Sequence, residues 1–155
     1  MHMQITQHKI QVDEQVVPEV IKLYHHLDNV RGGTYGTWHS RRWNHNPYPW
    51  FVNTYTRVQQ VLESLAIDQW WFNCGAPGDE NRWHSHSPYK WVAVLYVHMP
   101  ENGGAIEFKR EAEFQTWLPQ VGDLLVFPGN LAHSVHKNLS DQFRISAAFN
   151  LKLVK

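Results

Sequence analysis

Residues 143–151 read "FRISAAFNL", and their alternation separates two unlike faces. On an extended chain, side chains two apart point the same way. Phe143, Ile145, Ala147, Phe149 and Leu151 make an apolar face. Arg144, Ser146, Ala148 and Asn150 make the other, which is small and polar with one permanent cation. The first face suits a core. The second suits an interior strand lining a pocket, where the donor fork of Arg144 and the hydroxyl of Ser146 would receive a carboxylate.

The texture of that strand extends back to about residue 68. The runs "DQWWFNC", "WVAVLYVHM", "AIEFK", "FQTWL", "DLLVF" and "AHSVH" are short, apolar or alternating, and separated by Gly, Pro and Asn. Many short strands in close succession indicate a β-sandwich or jelly roll. "MQITQHKIQV" reads as an opening strand, and "RGGTYG" as a loop. "PEVIKLYHHLDNV" carries Val20, Leu23, Tyr24 and Leu27 at helical spacing behind a proline suited to a first turn. "HSRRWNHNPYPW" has no clean period and reads as irregular. "TYTRVQQVLESLAI" predicts a helix over 54–67 with Val58, Val61, Leu62 and Leu65 on one face. The expected architecture is mainly β, a double-stranded β-helix of the jelly-roll or cupin-like kind, with the N-terminal helices packed outside. One domain spans 1–155, with a core at about 68–151 and a helical or irregular cover at about 1–67.

His84 and His86 flank one serine in "ENRWHSHSPYKW", so on a strand both imidazoles project together. His133 and His136 in "LAHSVHKN" are three apart and point to opposite faces, so only one can join them. His133 is the better candidate because it follows the turn "FPGN". Arg144 lies eleven residues further on. His25, His26, His39 and His45 belong to no paired motif and read as structural or surface groups. Trp38, Trp43, Trp50, Trp83 and Trp91 are candidates for a substrate cleft, while Trp70, Trp71 and Trp117 sit in strand runs and read as core.

Bulk properties exclude several classes. An apolar fraction of 43% with 18% charged residues describes a folded globule. Formal charge is zero with spread cations, so no nucleic-acid footprint exists. No run reaches the length of a membrane span and no leader is evident, so no membrane partner is expected. Cys74 is the single cysteine, which excludes an intramolecular disulfide and suits a cytoplasmic location. Oligomeric state is not encoded in any motif.

The segment from about residue 70 to 151 resembles the 2-oxoglutarate- and iron(II)-dependent oxygenases, and most closely a small bacterial and phage subfamily. The matching pieces are "WWFNCGAPGDENRWHSH", "VLYVHMPENGGAIEF", "GDLLVFPGNLAHSV" and "RISAAFN", in that order. The resemblance implies iron(II) on His84, His86 and His133, and the far carboxylate of 2-oxoglutarate on Arg144 and Ser146. It also implies cosubstrate contacts from Tyr96 and Asn73. The implied activity is hydroxylation of a substrate with release of succinate and carbon dioxide. His86 stands where the family pattern has a carboxylate, which leaves iron at formal +2 rather than +1. Glu107 and Glu80 are the alternative sources of an acidic third ligand. Rival readings are a three-His zinc hydrolase or hydratase, a three-His dioxygenase that needs no 2-oxoglutarate, and a non-catalytic cupin-like module for a small anion. The substrate is open among peptide side chains, nucleotides, lipids and small metabolites.

Overall fold

A computed structural model describes residues 3–26, 30–31, 37–86 and 88–154, with residues 30 and 31 as backbone only. Leu27 and most of the expected "RGGTYG" loop lie outside the described residues. The strands are β1 (Thr6–Lys9), β2 (Val30–Arg31), β3 (Trp38–His39), β4 (Leu65–Gly75), β5 (Asn81–His84), β6 (Trp91–His98), β7 (Ile106–Arg110), β8 (Glu113–Trp117), β9 (Asp123–Pro128), β10 (Ala132–Val135) and β11 (Arg144–Leu153). The helices are α1 (Val16–Tyr24) and α2 (Val52–Leu62), the latter entered through a 3-10 turn at Pro49–Phe51. Among the described residues no helix is long and apolar enough to cross a membrane.

Seven strands form the major sheet in the order β1-β9-β6-β11-β4-β3-β2, and four form the minor sheet in the order β5-β10-β7-β8. Every pairing is antiparallel. This is the jelly-roll architecture expected from the strand texture. The central strands of the major sheet are buried on both faces, and alternation gives each face its own task. Outward, Ile145, Ala147 and Phe149 of β11 join Trp70 and Phe72 of β4 and Leu124 of β9. Val16 and Val20 of α1 and Val58 and Leu62 of α2 cover them. Inward, Leu125 and Phe127 of β9 meet Ile106 and Phe108 of the minor sheet in a second, smaller core.

The helix over 54–67 is shorter than its periodicity suggests. α2 ends at Leu62 because Glu63 takes a left-handed φ of 54°, and Leu65 opens β4 instead of extending the helical face. The side chains of Thr54, Val58 and Leu62, four apart, carry the buried stripe. The N-terminal segment is also more than a cover. β1 pairs with β9, and β3 with β4, so both edges of the major sheet come from before residue 40.

The tryptophans divide differently from the sequence expectation. Trp38 is buried, and Trp43, Trp50 and Trp91 pack against the outer core. Trp83 is exposed, while Trp71 lines the cavity between the sheets. The reason is parity: in β4, Trp70 and Phe72 face the helices, so Trp71, Asn73 and Gly75 face inward.

Candidate active site

A cavity of about 360 Å³ lies between the inward face of the major sheet and the minor sheet. Its floor is the polar face of β11, where Arg144, Ser146, Ala148 and Asn150 all line it. Register sets their neighbours. Ser146 lies opposite Asn73 on one side and Tyr96 on the other, and Arg144 lies opposite Gly75.

Three imidazoles converge above this floor. Ligand atoms of His84, His86 and His133 all lie within 4.8 Å of one another, the single such group of potential metal ligands among the described residues. β5 and β10 place His84 directly opposite His133. His86 follows the end of β5, so strand alternation alone does not hold it. Its backbone N–H donates to the Gly129 carbonyl at 2.7 Å, and its own carbonyl accepts from Tyr89 N–H at 2.9 Å. Gly129 belongs to the turn that leads into β10, so one turn fixes His86 and introduces His133. A side chain at Gly129 would overlap the Tyr89 carbonyl, which is why a glycine stands there.

The rings are poised as ligands. His84 Nδ1–H donates to the Arg82 carbonyl at 2.7 Å, and His133 Nδ1–H donates to the Leu131 carbonyl at 3.0 Å. Those bonds direct both Nε2 lone pairs inward. His86 Nε2 lies 3.3 Å from His133 Nε2. Burial pushes all three pKa values down: His84 below its ordinary value, His86 to about 4 with help from the His84 and Arg42 charges, and His133 well below its ordinary value. All three are therefore neutral near pH 7, as metal ligation requires. The set suits iron, zinc, nickel or copper by donor type.

Neither acidic alternative enters this group. Glu107 accepts from Thr116 Oγ1 at 3.3 Å and pairs with His136 at 3.3 Å, outside the cavity lining. Glu80 pairs with Lys137 at 3.8 Å. His136 lies past the end of β10, facing Glu107 rather than the triad.

At the other end of the floor Arg144 is 5% exposed, and among the described residues no carboxylate pairs with it. Its Nη1 donates to the carbonyls of Gly103 and of His136, the latter at 3.0 Å. Gly104, at φ +101°, lets this loop close on the guanidinium, for a side chain there would meet both Arg144 and the His136 carbonyl. Asn73 Nδ2 donates to Ser146 Oγ at 3.4 Å. Burial raises the Tyr96 phenol pKa, so its hydroxyl keeps its proton. A buried cation whose fork is only partly occupied, beside a hydroxyl, an amide and a phenol, has the chemistry to receive an anion.

Further residues line the cavity that the sequence motifs did not single out, among them His39, Arg42, Trp71 and Tyr89. Parity along β4 would have found Trp71; His39 sits opposite Asn73 through the short β3 pairing. Arg42 lies in a stretch without period and carried no sequence signal.

Comparison with known proteins follows the same lines. Residues 109–150 match the family model described as "Putative 2OG-Fe(II) oxygenase". A prolyl-4-hydroxylase from Pseudomonas putida superposes with a TM-score of 0.78 at 16% identity, covering 97% of this chain and 93% of its own. That segment is similar to the 2-oxoglutarate- and iron(II)-dependent oxygenases, and the fold of the whole described chain is the one this hydroxylase has. The resemblance read from the motifs is borne out over that segment and in the fold. Two other structures widen the picture of this oxygenase fold. A Trichoplax adhaerens prolyl hydroxylase in complex with a hypoxia inducible factor peptide fragment gives a TM-score of 0.73 at 12% identity, covering 96% of this chain and 84% of its own. HygX from Streptomyces hygroscopicus, with nickel, 2-oxoglutarate and hygromycin B bound, gives 0.71 at 12% identity, covering 98% and 84%. Among curated proteins no sequence relative is found.

Proposed function

We propose that the chain is an iron(II)- and 2-oxoglutarate-dependent dioxygenase that hydroxylates its substrate. The observation that carries this reading is the pairing of a three-imidazole cluster with a buried, carboxylate-free Arg144 across one cavity. A hydrolytic zinc site would use the imidazoles but leave the buried guanidinium without an anion. A module that only binds anions would leave the cluster of three neutral imidazoles without a task.

In this reading His84, His86 and His133 hold the metal through three neutral nitrogens. Arg144 and Ser146 take the distal carboxylate of 2-oxoglutarate, a charge-assisted pair in a low-dielectric site. Asn73 holds the Ser146 hydroxyl in place from β4, and Tyr96 presents a protonated phenol from β6. Phe108 and Phe127 pack around the His133 ring at centroid distances of 6.1 and 5.0 Å, which keeps that ligand dry and fixed. Bound iron with 2-oxoglutarate and dioxygen supplies the oxidation, in which one oxygen atom enters succinate as carbon dioxide leaves and the other converts a substrate C–H to an alcohol. The protein binds, orients and excludes water. The free, buried Cys74 suits the reducing cytoplasm that we propose as its compartment.

The test is a titration of metal-loaded protein with 2-oxoglutarate, followed by a succinate assay under air. Saturable binding that needs Arg144, with succinate release that needs iron(II), supports the reading. Binding that is absent, or unchanged in Arg144→Ala, overturns it.

A further inference from the structure

The cavity holds a second guanidinium that the cosubstrate reading leaves unused. Arg42 lies on its lining, with its Cζ 4.2 Å from the centroid of the Trp71 ring. That ring is in turn 5.8 Å from His86. Among the described residues Arg42 makes no ion pair and no side-chain hydrogen bond. Asp68, the partner of the cavity residue Tyr89, is engaged by the Tyr89 hydroxyl at 2.6 Å and by Lys152 at 3.5 Å. Arg42 is therefore held by an aromatic face, with its N–H donors uncommitted.

Position separates it from the cosubstrate receptor. Trp71 and Gly75 are four residues apart on β4, roughly 13 Å of strand at about 3.3 Å per residue. Arg144 is opposite Gly75, and Arg42 stands over Trp71. The two cations thus mark opposite ends of the cavity, with Arg42 at the His86 end. The lining includes Arg42 and Arg144 and, among the described residues, no aspartate or glutamate. With a divalent metal on neutral imidazoles, the dianionic cosubstrate leaves the site cationic. An exposed arginine on a tryptophan often does no more than cover it. Here the tryptophan is 5% exposed and belongs to the cavity wall, so the guanidinium borders the reaction space.

We infer that the substrate carries an anionic group, a carboxylate or a phosphate, which Arg42 receives above Trp71 so that the carbon to be oxidised lies beside the His triad. That the bound anion is a substrate rests on the cosubstrate reading; the anion site itself does not. Arg42 is a specificity residue, and its pairing is bidentate.

The test uses full-length protein loaded with nickel and saturated with 2-oxoglutarate. Phenyl phosphate and benzoate are titrated at constant ionic strength by calorimetry and tryptophan fluorescence, with benzamide as the neutral control. Both anions, or one of them, should bind and benzamide should not. Preference for phenyl phosphate assigns a phosphorylated substrate; preference for benzoate assigns a carboxylated one. Arg42→Gln should weaken the preferred anion by about tenfold or more, and Arg42→Lys should restore part of it by keeping the charge without the fork. The inference is overturned if neither anion binds, if benzamide binds as well, or if Arg42→Gln binds like the parent. Failure of 2-oxoglutarate to bind, with Arg42-dependent anion binding intact, would instead remove the cosubstrate reading and leave the Arg42 site standing.

Discussion

The two sheets of this molecule do different work, and they do it with different physical means. The major sheet is long, buried on both faces and helix-backed; β11 pairs along its whole length with β4 and along most of it with β6. It carries the proposed anion receptor, Arg144, whose guanidinium is gripped by backbone carbonyls. The minor sheet is short, and its edge strand β8 is exposed at all positions but Trp117. It carries two of the three imidazoles and shares the third with the Gly129 turn. The floor is thus fixed by the bulk of the fold, and the three imidazoles by a few short-range bonds. A functional group built into the floor should be costly to change without touching the cosubstrate cradle. One built into the rim should act on the metal first.

The strongest test of that division is Arg144→Ala. It should weaken 2-oxoglutarate binding by about 2–3 kcal/mol, on the order of a hundredfold, since a buried charge-assisted pair loses one partner. Metal content, measured by elemental analysis, should stay near one per chain. Loss of metal in this variant would mean that floor and rim are one unit.

Gly129→Ala probes the rim from the other side. Its added carbon would overlap the Tyr89 carbonyl and push the His86 turn outward. Metal affinity should fall by about 10- to 100-fold, as it does for lost supporting contacts around ligands. Affinity for 2-oxoglutarate should fall only as far as the metal does, and thermal unfolding should drop by about 1–3 kcal/mol. Unchanged metal affinity would show that His86 is positioned by something other than that turn.

A smaller effect is expected from pH. The three rings have lowered pKa values in the fold, His86 at about 4, against an ordinary value of 6.5. Between those values the unfolded chain takes up protons that the folded rings refuse. Metal-free protein should therefore lose stability as pH falls from about 6.5 towards 4. Denaturant unfolding at successive pH values checks this, and a rise in stability over that window would contradict the buried, neutral triad.

The same contrast explains what could be read from sequence. The floor was legible because a strand writes its two faces into alternate letters: Arg144, Ser146, Ala148 and Asn150 fall on the cavity side, and Ile145, Ala147 and Phe149 on the core side. Both short helices were legible from their stripes, though α2 stops early because one residue, Glu63, turns left-handed. The rim was legible only as a spacing. Nothing in the letters says that the Gly129 turn holds His86, or that β10 sets His133 opposite His84, because both depend on pairing distant segments. Trp71 is buried, as strand membership implies, but only parity along β4 shows that it faces the cavity. Arg42 was invisible, since an aperiodic stretch gives no direction to its side chains.

The central claim is that three imidazoles, without a carboxylate, hold the metal. It is tested most directly by the metal content of single variants purified and loaded with iron(II) under identical anaerobic conditions. His84→Ala, His86→Ala and His133→Ala should each lose the metal, while His136→Ala and Glu107→Ala should each keep about one per chain. Full iron in His86→Ala, together with its loss in Glu107→Ala or Glu80→Ala, would contradict the account and assign the third place to an acid.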